Sequence, residues 1–175
     1  MSDFELRFGA KTSLMGIVNV TPDSFSGDGL ALPGRSEAEI VDAALEQART
    51  FVAAGAEILD VGAESSRPAS VYGEHAAVDA DAEAALAVPV VAALARAFAG
   101  RALVSIDTSK GAVARAALAA GAGMVNDVWA ARRDPGTAEA AAEAGAWLVL
   151  MHNAGASHYP AGIFETVVAW LREAA

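Results

Sequence analysis

Short apolar runs in this chain repeatedly end on side chains that can hydrogen-bond, carry charge or hold a metal. Leu14-Met15-Gly16-Ile17-Val18 is followed by Asn19, and the run Ile58–Val61 contains Asp60 and leads to Glu64. Leu103–Ile106 runs into Asp107, Met124-Val125 into Asn126 and Asp127, and Trp147–Met151 into His152 and Asn153. Burying an amide or carboxylate costs roughly a few kcal/mol unless it finds a partner. A polar group at every run therefore predicts one convergent polar ring. Amides offer donor and acceptor together, which suits the edge of a planar ligand carrying both.

Each residue also has a plainer use. Asp107, ahead of Thr108-Ser109-Lys110, reads equally as the N-cap of a following helix. Asn126 reads as a structural amide bridging neighbouring strands, and alternation turns it and Asp127 to opposite sides, so one of the pair supports the other. Asn19 opens the loop Val20-Thr21-Pro22-Asp23-Ser24-Phe25-Ser26, where it reads as a turn residue. Arg67, in Ser65-Ser66-Arg67-Pro68, is a solvated charge or a planar guanidinium set among hydroxyls for a diphosphate or carboxylate. His75, His152 and His158 have no metal-binding spacing, and His152 reads as part of a site wall. Met151 is a core residue or a packing partner for a flat ring.

The elements that must position these groups follow from the pattern between them. The apolar runs are too short for helices and suit strands buried on both faces. Alanine-rich helical segments separate them. The clearest begins with a capping box, Ser36 with Glu39, and shows one apolar face of Ile40, Ala44, Leu45, Ala48, Phe51 and Val52. Gly55, Gly100, Gly121 and Gly145 each follow a helical segment and precede a strand, where a helix ends through a left-handed residue. Pro89 should kink its helix or mark a first turn. Repeated strand–helix units predict a parallel sheet with right-handed crossovers and all strand ends opening on one face. Five strands fit, and Ile163–Ala174 reads as the fifth covering helix.

With 175 residues and 54% hydrophobic content, the chain predicts a single domain with one core. A net charge of -10 repels polyanions and argues against nucleic acid or an anionic membrane as partner. A small anionic substrate would then need local cationic or metal help. The absence of cysteine excludes disulfides, thiolate catalysis and cysteine-ligated metal centres. The N-terminal Met-Ser-Asp-Phe-Glu-Leu-Arg lacks the profile of a signal peptide, and no apolar run reaches membrane-spanning length, so a cytoplasmic protein is expected.

Two longer segments carry a resemblance. Leu14–Gly29 and Gly55–Ser70 resemble the first and second conserved segments of dihydropteroate synthases, in that family's order and near its spacing. The resemblance implies an α/β fold of (β/α)8 TIM-barrel type. Residues 1–175 would hold about five βα units as one pterin-binding domain that stops short at its C-terminal end, since a closed barrel takes about 250 residues. It implies a transferase of folate biosynthesis that condenses p-aminobenzoate with (7,8-dihydropterin-6-yl)methyl diphosphate to give 7,8-dihydropteroate and diphosphate.

Residue by residue, the similarity of Ser105-Ile106-Asp107-Thr108 to the family's third strand implies that Asp107 binds the amino-pyrimidine edge of the pterin. Asn126 matches the amide on the fourth strand that reads the same ring. Ser66, Arg67 and Pro68 are implied to bind diphosphate and shape the p-aminobenzoate pocket, and Asn19 to coordinate Mg2+. Asp107, Asn126 and Arg67 are the candidate catalytic residues, and Met151 joins the substrate-binding set. Two departures stand out: Asp28 in Ser26-Gly27-Asp28-Gly29 is displaced by one place, and Ala69 replaces a common glycine. The family's later motifs, an Asp-Pro-Gly strand end with its lysine, Ser-Arg-Lys and Arg-x-His, are absent, so little turnover is expected of these residues alone. Open sheet edges and an uncovered inner face predict a homo-oligomer or aggregation. The alternatives are a corrinoid-linked pterin methyltransferase and a non-catalytic pterin-binding scaffold, which an assay for dihydropteroate formation separates from the first reading.

Overall fold

The computed structural model describes residues 6, 9, 11–21, 29–64, 78–153, 159–160 and 162–175. Among the described residues, strand and helix alternate. The strands are β1 (Leu14–Asn19), β2 (Ala56–Gly62), β3 (Leu103–Asp107), β4 (Met124–Asp127) and β5 (Trp147–Leu150). The helices are α1 (Glu37–Ala53), α2 (Ala80–Ala97), α3 (Gly111–Ala119), α4 (Gly136–Ala144) and α5 (Ile163–Ala174). Among them no helix is long and apolar enough to cross a membrane.

Local chemistry accounts for the helix ends. Ser36 caps α1 through the expected box with Glu39, whose carboxylate accepts from the Ser36 N–H at 2.8 Å. Asp79 caps α2 by accepting from the Asp81 N–H at 2.9 Å. Helices α3 and α4 have no side-chain cap of their own and share one instead. Asp134 accepts from the Gly111 N–H at 2.6 Å and from the Gly136 N–H at 2.9 Å, so one carboxylate serves two helix N-termini. Those termini touch: a Cβ on Gly111 would lie 2.7 Å from the Gly136 backbone. Gly55, Gly100, Gly121 and Gly145 all adopt positive φ, as the return from helix to strand requires. Pro89 lies in the middle of α2, which continues through it, and not in its first turn.

All four strand pairings are parallel, in the order β1-β2-β3-β4-β5. Successive helices pack against each other, α1 on α2, α2 on α3 and α3 on α4, so the helical layer covers one face of the sheet. A doubly wound sheet would reverse its strand order partway. This one does not, and a singly wound parallel sheet covered on one side is an arc of a (β/α)8 barrel.

Alternation assigns every strand residue to a face. A Cβ on Gly16 would collide with the Phe51 ring of α1, so Gly16 and Val18 face the helices. Val18, Leu59, Val61, Val104, Ile106 and Val125 join Ala44, Ala48, Val90, Leu94, Val113 and Ala117 in the main core between sheet and helices. The other face carries Ile17 and Asn19, and by register Asp60, Ser105, Asp107 and Asn126. Deep on that concave face Ile58 and Met124 pack with Leu6, flanked by Met15 and Leu103. Its two edges are open, with Ile17 45% and Trp147 47% exposed. Helix α5 buries none of its side chains, and Arg132 stacks on its Trp170 at 3.8 Å.

The contact between the α3 and α4 N-termini sets a prediction. Gly111→Ala places a methyl group against backbone that has no rotamer to yield, and should cost about 1–3 kcal/mol as overpacking, measured by urea unfolding.

Candidate functional site

Four strands bring predicted polar residues together at one end of the concave face. Asn19, Gly62, Asp107 and Asn126 are register partners in a single row. The row beneath it holds Ile17, Asp60, Ser105 and Met124. The strands run further than their apolar runs suggested, so these polar residues lie within strands rather than after them. Gly62 gives the row its shape: a Cβ there would sit 3.6 Å from the Asp107 Cβ and 3.7 Å from its Oδ2, so the missing side chain leaves room beside the carboxylate.

Asp107 is not a helix cap. Lys110 occupies the N-cap position of α3, the Lys110 N–H donates to Thr108 Oγ1 at 3.2 Å, and Asp134 takes the Gly111 N–H. Burial pushes the Asp107 carboxyl up from 3.8 to about 8, and the negative charges of Asp60, Glu83, Asp127 and Glu64 push in the same direction. Asp60 is 2% exposed. Burial raises its carboxyl too, opposed by the Ser105 hydroxyl and the Asn126 amide. The amide contact is a direct bond, with Asn126 Nδ2 donating to Asp60 Oδ2 at 2.9 Å. Asp60 Oδ1 and Ser105 Oγ are both buried without a hydrogen-bond partner, so the serine acts by proximity and not by a formed bond.

Asn126 and Asp127 divide their work as alternation requires. Asp127, fully buried on the helix side, accepts from the Trp129 N–H at 2.8 Å, the Ala131 N–H at 3.1 Å and Thr137 Oγ1 at 2.7 Å. It holds a loop in which Ala130 and Ala131 both adopt left-handed φ, 53° and 57°, a conformation alanine resists. Asp127 is thus a loop anchor, and Asn126 alone of the pair faces the concave side.

A second network joins the polar ring to the helices. Lys110 Nζ donates to Glu64 Oε2 and Glu83 Oε2, each at 2.5 Å. Burial works against the ammonium, but the two carboxylates outweigh it and raise its pKa. Glu64 Oε1 also accepts from the Val78 N–H at 3.1 Å, which ties together both ends of the β2–α2 connection. Lys110 and the wholly buried Glu83 were not foreseen. The available signal was Glu83 lying on the same helix face as the buried Ala87, Val90 and Leu94, where a carboxylate needs a cation.

Ser66, Arg67 and Pro68 lie outside the described residues, as do Asp23, Asp28, Ala69, His75 and His158. Met151 follows β5 and is 43% exposed, which removes it from the core. His152 packs edge-on against Trp170 of α5, with ring centroids 5.0 Å apart. No group of three or more His, Cys, Asp or Glu suited to a metal occurs among the described residues. Asn19 is half-buried at the end of β1, in the row with Gly62, Asp107 and Asn126.

The chain resembles known proteins in both sequence and fold. A family model described as pterin binding enzyme matches residues 15–175. The dihydropteroate synthase of Bacillus subtilis is 38% identical over 154 residues, which are 88% of this chain and 49% of that protein. A crystal structure of dihydropteroate synthase from Clostridium difficile in the presence of pteroic acid has a TM-score of 0.82 at 36% identity, covering 97% of this chain and 59% of that one. A Xanthomonas albilineans dihydropteroate synthase with 4-aminobenzoic acid has a TM-score of 0.72 at 36% identity, covering 94% and 53%. The chain spans about half the length of the curated relatives it matches. Its fold class is that of their barrel, with five βα units present here.

The raised Asp107 carboxyl makes a prediction about stability. The folded protein holds this proton up to about pH 8, while the unfolded chain releases it near 3.8. Between those values the native state binds more protons, so stability is lost as pH rises. Asp107→Asn should remove that part of the slope and melt above the parent at pH 8, with the gap closing toward pH 4, in thermal unfolding followed across this range.

Proposed function

Because the chain belongs to the pterin-binding enzyme family, we propose that it forms the pterin-recognising half of a dihydropteroate synthase, which joins p-aminobenzoate to a dihydropterin carrying a methylene diphosphate. The observation that carries this reading is the placement of Asp107 and Asn126 in one row on adjacent strands, at the rim of an acceptor-rich face. A pterin presents neighbouring N–H donors along its amino-pyrimidine edge. A carboxylate accepts such a pair in parallel, and the adjacent amide supplies a further contact. The high proton affinity of the Asp107 carboxyl falls once a donor-rich or electron-poor ring lies against it.

The chemistry asked of this site is a substitution. The C–O bond between the pterin methylene and diphosphate breaks, and its electron pair leaves with diphosphate. The amine nitrogen of p-aminobenzoate then bonds to the electron-poor methylene carbon and loses a proton. Asp107 holds the ring in place and offsets the positive charge that develops on it. Ser66, Arg67 and Pro68 would bind the diphosphate and the second substrate, and Met151, exposed beyond β5, would pack on the flat ring. Asn19 suits Mg2+ because an amide oxygen is a hard ligand and magnesium keeps most of its shell for phosphate and water. Bound there, the ion would neutralise charge on the departing diphosphate. A cytoplasmic location and small-molecule partners are part of the same reading.

Two outcomes test it. Asp107→Asn or Asn126→Ala should weaken pterin binding roughly tenfold to a hundredfold, the value of one buried partner, while 4-aminobenzoic acid binds as before. Calorimetry with each ligand distinguishes this from general damage. Asn19→Ala should raise the magnesium concentration needed for diphosphate binding and leave metal-free pterin binding intact. A magnesium titration that overlays the parent's would refute the assignment.

A further inference from the structure

The most deeply buried carboxylate on the concave face, among the described residues, is Asp60, below the row that meets the ligand. Its position decides what it can do. It pairs in register with Ser105 on β3, one row down from Asp107, so the ligand-facing row lies between it and the opening. Its one formed bond reaches past β3 to β4, where Asn126 Nδ2 donates to Oδ2 at 2.9 Å. We infer that Asp60 is a positioning residue: by accepting from Asn126 Nδ2 it fixes which end of that carboxamide the ligand meets, leaving Asn126 Oδ1 as the acceptor displayed beside Asp107. This rests on the reading of Asn126 as a pterin contact and adds what makes that contact selective.

The physical argument is one of sign. While it is ionised the Asp60 carboxylate only accepts, so a reversed amide would set oxygen against oxygen beside a side chain that is 2% exposed. Nδ2 is thereby held inward. The rim then presents the Asp107 carboxylate and the Asn126 carbonyl as neighbouring acceptors. Such a rim selects rings with N–H groups at both positions and rejects rings that carry an unprotonated nitrogen opposite Asn126. Without Asp60 the amide has two orientations of similar energy, and the selection weakens. Asp60 Oδ1 and the neighbouring Ser105 Oγ are both buried without a partner, and the bond from Asn126 Nδ2 is accepted by Oδ2.

The bond can be read without ligand. In the parent protein the Asn126 side-chain amide protons, identified by their loss in Asn126→Ala, should show one hydrogen-bonded, slowly exchanging NMR signal, and Asp60→Asn should move it and speed its exchange. An unchanged signal in Asp60→Asn overturns the inference whatever the protein binds. With ligand, calorimetry with pteroic acid on the full-length protein should show Asp60→Asn about tenfold weaker and 4-aminobenzoic acid unaffected. In an Asn126→Ala background the same substitution should add less than about twofold, because Asp60 acts through Asn126. Equal effects in both backgrounds would make Asp60 independent of Asn126 and overturn the assignment. If the parent itself fails to bind pteroic acid, the functional reading falls, while the amide signal still decides the orientation. Asp60→Ser, smaller and able to admit water, gives the same comparisons should Asp60→Asn not fold.

Discussion

Because the five strands are parallel and paired in register, equivalent positions on successive strands line up in rows across the sheet, and each row faces wholly toward or wholly away from the helices. That constraint turns a set of residues far apart in sequence into a surface. It sends Val61, Ile106 and Val125 into the core and places Asp107 beside Asn126. A shift of one residue in any pairing would exchange the two faces and bury the carboxylates among the helices. The small devices beside the sheet, the shared Asp134 cap and the Asp127 loop anchor, fix where β3 and β4 give way to the segments that follow them.

The electrostatics of the site follow from how those rows are filled. Asp60, Glu64, Glu83, Asp107 and Asp127 bring five carboxylates to one end of the sheet, and Lys110 answers two of them directly. An excess of buried negative charge favours protonation, or a ligand that brings donors and positive character of its own. In the proposed reaction a pterin ring becoming electron-poor at its methylene would meet that demand, and a diphosphate would not. On that proposal an acidic chain would serve one half of the reaction, while the anionic leaving group would call for cationic groups or a metal.

Much of this was legible from residue order. The Ser36–Glu39 box, the four left-handed glycines and the strand–helix alternation depend on neighbours a few residues apart, and each appeared where the pattern placed it. Asp107 and Asn126 were recognisable because they end apolar strands in a chain that repeats one unit. The roles of Asp60, Glu83 and Asp134 were not. Their partners lie 66, 27 and 23 residues away, and nothing in local spacing says which carboxylate meets which donor. Asp127 shows the same limit from the other side: alternation separated it from Asn126, but only the fold showed that its oxygens hold Ala131 and Thr137.

The bond from the Val78 N–H to Glu64 fixes both ends of the β2–α2 connection with atoms that belong to neither its middle nor the ligand. Lys110 braces that bond from β3's following loop and Glu83 from α2. The end of β2 and the start of α2 therefore keep their spacing through side chains that lie at the junctions themselves, so a change at Glu64, Lys110 or Glu83 would loosen strand, helix and neighbouring loop together.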